Sequence, residues 1–253
     1  MADRSDLDLA LALARAAGEH ALAARTPRQR VETKPDGSPV SAVDRAIEQA
    51  LRSELHRLRP DDGVLGEEFG GDLTRRRTWI LDPLDGTAHY LEGRRDWGTH
   101  IALREAGEVT LGVVTRPDLG AIWYASAGGG AFRIEDPAAS PRPLRTASHP
   151  GSARPRIALW DDPAGPLGQR LAEQFTIVDA DLDAILDVIE GGLHGAIDVH
   201  GRPWDHAPYT ILVEEAGGRF ADRDGARRID SGTVCYAGAW LLDAMLACVR
   251  DDR

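Results

Sequence analysis

Trp79-Ile80-Leu81-Asp82-Pro83-Leu84-Asp85-Gly86-Thr87 is the stretch on which the reading of this chain turns. Trp79-Ile80-Leu81 reads as a short buried strand that delivers acidic residues at its C-terminal end. The spacing Asp-x-x-Asp lets Asp82, Asp85 and the intervening Leu84 carbonyl turn toward one point, with Pro83 stiffening the bend. Gly86 permits a tight approach of backbone. Thr87 opens a helix whose free N–H groups face an anion. Taken alone, Asp-Pro-Leu-Asp-Gly is equally a β-turn sequence, so its surroundings decide.

Upstream, Val64-Leu65-Gly66 is a second short buried strand ending in Glu67-Glu68. Before it, a helix runs from Ser41 to about Leu58 with Val43, Ile47, Leu51, Leu55 and Leu58 on one face, and Asp44 lies near its start. Leu7 to Arg25 reads as an amphipathic helix stopped by Thr26-Pro27. Lys34-Pro35-Asp36-Gly37-Ser38-Pro39 is turn chemistry and reads as an exposed loop. Downstream, strands are expected near His100–Arg104, Val109–Arg116 and Ile122–Ala125, with a hairpin at Gly128-Gly129-Gly130.

The Pro-, Ser- and Ala-rich stretch from Asp136 to Pro155 suggests a boundary, giving an N-terminal half over 1–140 and a C-terminal half over 141–253 within one compact unit. In the second half, strands at Arg156–Trp160, Phe175–Val178 and Ala196–Val199 alternate with helices near Leu167–Gln174 and Leu182–Glu190. A helix over Asp205–Ala216 is closed by Gly217-Gly218. Strands at Arg219-Phe220 and Val234–Ala237 and a helix over Leu241–Val249 follow. Interleaved strands and helices predict a layered α/β fold.

The chain has 253 residues, 42% of them hydrophobic and 28% charged, enough for a large core. Its formal charge of -11 argues against nucleic acid or an anionic membrane as partner. An anionic substrate would therefore need a bound cation to attract it. Cys235 and Cys248 make neither a disulfide framework nor a zinc spacing and read as small buried hydrophobes. The acidic N-terminus does not read as a secretory signal. No apolar run approaches the roughly 20 residues that span a bilayer. A cytoplasmic location is the expectation.

Glu67-Glu68, Asp82, Asp85, Asp205 and Asp44 thus gather where strands end or helices begin. Each has a plainer reading: a solvated turn for the glutamates, a helix N-cap for Asp205, a partner for an arginine for Asp44. Their joint occurrence favours a hard-oxygen site for Mg²⁺ over zinc, which prefers His and Cys. Two adjacent divalent ions would supply the water activation and charge neutralisation that phosphate-ester hydrolysis needs.

At these residues the chain resembles the inositol monophosphatase family, Mg²⁺-dependent, Li⁺-sensitive phosphatases of small phosphate monoesters. The resemblance rests on Trp79–Thr87, on Gly66-Glu67-Glu68, and on Trp204-Asp205-His206-Ala207-Pro208 continuing into Val213-Glu214-Glu215-Ala216-Gly217-Gly218. It implies an α-β-α-β-α sandwich of the inositol monophosphatase and fructose-bisphosphatase type, assembled as a homodimer. It implies metal ligation by Glu67, Asp82, the Leu84 carbonyl, Asp85 and Asp205, with two or three Mg²⁺ ions, Mn²⁺ substituting and Li⁺ inhibiting. It implies that Thr87, Asp44 and Glu67 handle the attacking water, that Gly86 and Thr87 N–H groups hold the phosphate, and that Lys34 and Glu68 line the site.

Thr33–Val40 and Gly63–Gly71 are most similar to the histidinol-phosphate phosphatases of that family, which makes histidinol phosphate the expected substrate. Inositol monophosphate, or another polyol, sugar or nucleoside phosphate, is the alternative. After Thr87 the chain has Ala88-His89-Tyr90 where those enzymes carry Lys-Asn-Phe, and Asp179–Asp183 replaces a small-residue segment that meets the substrate. Asp198 stands where inositol-specific members have a glutamate that contacts the substrate's hydroxyls. Haloacid-dehalogenase-type phosphatases, with Asp-x-Asp near an N-terminal strand, fit the spacing less well. A catalytically silent phosphate-ligand binder is the non-enzymatic alternative. His89, His100, His194, His200 and His206 read first as structural or surface residues. His89 and His206, beside the two motifs, are the candidates for substrate contact, and Trp97 is a candidate for lining the pocket.

Overall fold

Apolar side chains alternate along the central strands and sort the chain into layers. The computed structural model describes residues 4–26, 31–33, 39–135, 140–151 and 153–250. The first elements are α1 (Arg4–Ala24), β1 (Val31–Thr33), β2 (Pro39–Ser41) and α2 (Ala42–Leu58). Then come β3 (Gly63–Gly66), β4 (Arg77–Asp85), α3 (Thr87–Leu91), β5 (Gly98–Glu105) and β6 (Glu108–Arg116). A 3₁₀ turn at Pro117–Leu119 leads to β7 (Ala121–Ser126), β8 (Gly130–Ile134) and β9 (Arg142–Pro143). The remainder is β10 (Arg156–Trp160), α4 (Pro166–Gln174), β11 (Thr176–Asp179), α5 (Ala184–Glu190) and β12 (Gly195–Asp198), followed by α6 (Pro203–Glu215), β13 (Gly218–Asp222), β14 (Val234–Gly238) and α7 (Leu242–Arg250).

β3 through β9 form a seven-stranded sheet in sequence order, antiparallel except where β3 lies parallel to β4. β10 to β14 form a five-stranded sheet ordered β11-β10-β12-β14-β13, parallel across β11, β10 and β12 and antiparallel on both sides of β14. β1 and β2 pair with each other. In β4, Trp79 and Leu81 join the core under α1 and α2, while Ile80 faces the opposite way. Ile47, Leu51 and Leu55 on α2 meet that same core, each burial contributing about 1.5–3 kcal/mol. Leu58, expected on this face, is exposed instead, because it sits at the last residue of the helix.

α5 and α6 fill the space between the two sheets, and α4 and α7 cover the outer face of the second. The layers therefore run α-β-α-β-α, as the resemblance implied. Cys235 and Cys248 are both buried and unbridged, in agreement with their reading as small hydrophobes. Among the described residues no helix is long and apolar enough to cross a membrane.

Helix α6, which carries Asp205, lies directly on the first sheet at Gly112. A β-carbon there would come within 2.5 Å of the Pro208 carbonyl oxygen and 2.7 Å of Ile211 Cγ2. The missing side chain is what lets helix and sheet approach so closely. Gly112→Val should therefore lower unfolding stability by about 1–3 kcal/mol, as overpacking does. Urea denaturation checks this, and an unchanged midpoint would show that α6 does not depend on that contact.

Candidate active site

The site begins with an irregularity in β4. Asp82 pairs with His100 on β5 and Asp85 with Gly98, so three steps along β4 face two along β5. One extra residue is inserted, a β-bulge. Strict alternation would send Asp82 and Asp85 to opposite faces of the sheet. The bulge turns Asp85 to the side of Asp82 and sends Leu84 into the core beneath α1 and α2. Pro83 has no N–H to lose at this point, and its carbonyl accepts a hydrogen bond from Thr99 Oγ1 at 3.0 Å. The Leu84 N–H donates to Asp82 Oδ1 at 2.9 Å. The segment that, taken alone, could equally be a β-turn is thus a bulged strand, and the turn comes one residue later. Gly86 has φ 77°, a left-handed conformation that starts α3 at Thr87.

Thr87 and Asp44 meet here from distant parts of the chain. The Thr87 hydroxyl lies 2.9 Å from Asp44 Oδ1 and 3.0 Å from the Leu84 carbonyl oxygen, and it donates its single proton to these acceptors. Asp44 is the third residue of α2, fully buried. Its other oxygen accepts from the Ser41 N–H at 2.9 Å and from the Ser41 hydroxyl at 2.5 Å, so the helix cap aims it.

Glu67 and Glu68 follow β3, which runs alongside β4, and the Glu67 N–H donates to the Leu81 carbonyl at 3.1 Å. The turn they occupy is held from below by Glu48, one helical turn beyond Asp44. Its fully buried carboxylate accepts the Glu68 N–H at 2.7 Å, the Phe69 N–H at 3.2 Å and Arg52 Nε at 2.7 Å. Sequence reasoning missed Glu48. Its signal was an acid among Ile47, Leu51 and Leu55 on the buried helix face.

Asp205 is not an N-cap. It is the third residue of α6, and its carboxylate accepts the Arg202 N–H at 2.7 Å. Burial, opposed by that hydrogen bond and reinforced by Asp85, Glu67 and Asp198, pushes its carboxyl up to about 8. Burial also raises Asp82 well above its ordinary value, with Glu67, Asp85 and Asp205 adding repulsion. Asp85 goes the other way. Burial alone would raise it, but His100, Arg116 and His89 together hold it at about 2.

Of these neighbours, Arg116 was not singled out in the sequence, and His100 was read there as a structural or surface residue. His100 Nε2 and Arg116 Nη2 each lie 3.3 Å from Asp85 Oδ2. Arg116 is fully buried and also reaches Asp183 Oδ1 at 2.7 Å, the Leu182 carbonyl at 3.1 Å and the Tyr209 hydroxyl at 3.4 Å. The signals were polar residues in apolar strands, His100 on the face opposite Ile101 and Leu103, and Arg116 at the end of β6.

A cleft of about 280 Å³ opens above these groups, lined at its floor by Asp85, His100, Asp205 and Tyr209. Trp160, Leu182 and Ile185 supply an apolar wall, and Asp198, His200 and Gly201 a polar one. Asp198 Oδ1 accepts the N–H groups of His200 and Gly201 at 2.9 and 3.0 Å. His206 is fully buried behind that wall, its Nδ1 2.9 Å from the Tyr236 hydroxyl and 4.0 Å from Asp198 Oδ2, and burial lowers its pKa. His89 is half-buried, with Nδ1 2.9 Å from Asp96 Oδ2. The structure places neither on the cleft wall. Trp97 is a core residue, its Nε1 donating to Asp118 Oδ2 at 2.6 Å. Glu68 is half-buried in the turn on Glu48, and Lys34 lies outside the described residues.

The donor set fits a divalent cation. Glu67, Asp82, Asp85 and Asp205 are hard oxygen donors that repel one another, and the buried Asp85 Oδ2 has no hydrogen-bond partner. In the unfolded chain both Asp82 and Asp205 titrate near pH ~4. Their folded values are raised, so without metal the native state binds more protons than the unfolded chain from about pH 4 to 8. Stability of chelator-treated protein should fall as pH rises through that window. Saturating Mg²⁺ at pH 8 should raise the melting temperature and flatten the trend. A flat profile without metal, followed by differential scanning calorimetry, would contradict the crowding of carboxyls.

Residues 3–253 match the model of the inositol monophosphatase family. A protein of Streptomyces griseus named glucose-1-phosphate thymidylyltransferase is 41% identical over 87% of each chain. A histidinol-phosphatase of Mycobacterium tuberculosis is 38% identical over 95% of this chain and 96% of its own. Among solved structures, an inositol monophosphatase from Zymomonas mobilis superposes with a TM-score of 0.81 at 26% identity, covering 98% of this chain and 99% of that one.

Proposed function

Because this chain belongs to the inositol monophosphatase family of metal-dependent phosphoric monoester hydrolases, we propose that its cleft hydrolyses histidinol phosphate by attack of water. The observation that carries the water chemistry is the buried contact of Thr87 with Asp44 beside four crowded carboxyls. Glu67, Asp82, the Leu84 carbonyl, Asp85 and Asp205 would hold the divalent ions, two or three Mg²⁺ with Mn²⁺ able to substitute. When present, the ions supply positive charge against the phosphoryl oxygens and leaving alkoxide and make a water acidic enough to attack.

The residues of the chain do the rest. Asp44 and the Leu84 carbonyl draw the Thr87 proton inward, which leaves the hydroxyl's lone pairs to accept from a water. Glu67 completes the orientation of that water. The N–H groups of Gly86 and Thr87 hold the phosphate. The organic part of the ester extends into the cleft, between the apolar wall of Trp160, Leu182 and Ile185 and the polar wall of Asp198 and His200. One apolar and one acidic wall suit a flat imidazole with N–H donors and an ammonium group better than a polyol, which wants polar partners all round. Asp198 contacts that cationic end, with the buried His206 behind it, Nδ1 4.0 Å from Asp198 Oδ2. The histidinol-phosphatase names of relatives 38% and 36% identical support the same substrate.

Phosphate release measured with malachite green over histidinol phosphate, inositol 1-phosphate, glucose 1-phosphate and a nucleoside monophosphate tests this. Glucose 1-phosphate is included because of the name of the Streptomyces griseus relative. Histidinol phosphate should win in kcat/KM by at least about tenfold, since the polar wall discriminates by unpaired groups. Another winner would refute the substrate, and Mg²⁺ binding with no release on any ester would mark a silent binder. Asp85→Asn should abolish Mg²⁺-dependent release with the fold intact. Thr87→Ala should lower kcat by about 100-fold or more at similar KM. Turnover close to wild type in either variant would remove that residue from the chemistry.

A further inference from the structure

His100 is a buried histidine with only one of its two ring nitrogens partnered. It is 1% exposed, on β5 directly opposite Asp82 in the ladder, with its ring on the face that meets α6. A buried histidine held for packing normally satisfies both ring nitrogens. Here Nδ1 has no hydrogen-bond partner, and Nε2 points at the acidic cluster. A ring nitrogen of His100, one oxygen of Asp82 and one oxygen of Asp85 all lie within 4.8 Å of one another, close enough to share one ion, and Nε2 is 3.3 Å from Asp85 Oδ2. The ring is fixed in that orientation by edge-on packing against Tyr209, with centroids 5.0 Å apart and planes at 79°. The polar neighbours of Nε2 are the Asp85 carboxylate and the Tyr209 hydroxyl at 3.2 Å. The hydroxyl is a rotor that also accepts from Arg116, so it does not claim the nitrogen permanently.

We infer that His100 is a ligand of the metal centre, joining Asp82 and Asp85 through Nε2, and that it tilts the centre from Mg²⁺ toward borderline ions such as Co²⁺ and Zn²⁺. The inference rests on the metal-dependent reading of the same site and adds to it a nitrogen donor outside the carboxylate set. Hard oxygen donors alone suit Mg²⁺, whereas imidazole favours the later first-row ions.

The test uses full-length protein with Co²⁺ as the probe, read by proton NMR and by isothermal titration. A ligating His100 gives a paramagnetically shifted, solvent-exchangeable ring N–H resonance in the Co²⁺ protein. His100→Leu should lose that resonance and at least about tenfold in Co²⁺ affinity, with a much smaller change for Mg²⁺. His100→Gln fills the same space with an oxygen donor and should shift preference toward Mg²⁺ in the same direction, so the test survives misfolding of the leucine variant. A resonance that persists in both variants, or a Co²⁺ to Mg²⁺ ratio unchanged from wild type, would overturn the inference and leave His100 as a hydrogen-bond donor to Asp85. Failure of the wild-type protein to bind either ion would instead overturn the metal-dependent reading beneath it.

Discussion

Between Asp82 and Asp85 strand β4 advances three residues while its neighbour β5 advances two, and the acidic centre depends on that mismatch. A regular strand would point one carboxylate at α6 and bury the other among the leucines and alanines under α1 and α2. Burying an unpaired carboxylate there would cost several kcal/mol or force it neutral. The bulge avoids this by exchanging the residues' faces, so that Leu84 takes the apolar side and Asp85 joins Asp82. Pro83 and Thr99 absorb the irregularity, one by lacking a donor and the other by supplying one.

Once the two acids share a face, the rest of the site is a matter of charge. Glu67 arrives from the adjacent parallel strand and Asp205 from the start of α6, and all four carboxyls compete for one small volume. The asymmetry among them is informative. Asp85, beside His100 and Arg116, is held ionised, whereas Asp82 and Asp205 are driven toward protonation. Arg116 therefore offsets part of the charge at one edge of the cluster, and the crowded carboxyls still call for a further positive ion. Arg116 also ties this edge to Leu182 and Asp183, so the charge balance of the centre and the position of the apolar cleft wall are set by one side chain.

The two sheets divide the work. The seven-stranded sheet, helix α2 and the start of α3 supply Glu67, Asp82, Asp85, Thr87 and Asp44, the acidic side of the site. The five-stranded sheet and the connections leading into α5 and α6 supply Trp160, Leu182, Asp198 and Asp205. Gly112 brings α6 onto the first sheet and so sets how far apart these contributions stand.

Much of this was legible in the chain alone. Period-two and period-3.6 patterns located the strands β3 to β7 and the helices α1, α2 and α6. The short apolar runs ending in Glu67 and Asp82, and the helix start at Asp205, marked the acidic residues, because such patterns are a local property of sequence. What could not be read locally was every contact that joins distant segments. The bulge in β4 follows from pairing with β5, so Asp-Pro-Leu-Asp resembled a turn until its partner was known. Glu48, His100 and Arg116 looked like ordinary polar residues because their roles depend on what packs against them. His206 and Trp97 stood beside the motifs in sequence but point into the core. The sequence by itself determined the layered fold, the acidic residues and the family. Only the tertiary structure decided which face each carboxylate takes and which cations answer it, because both are set by strand register and by neighbours far apart along the chain.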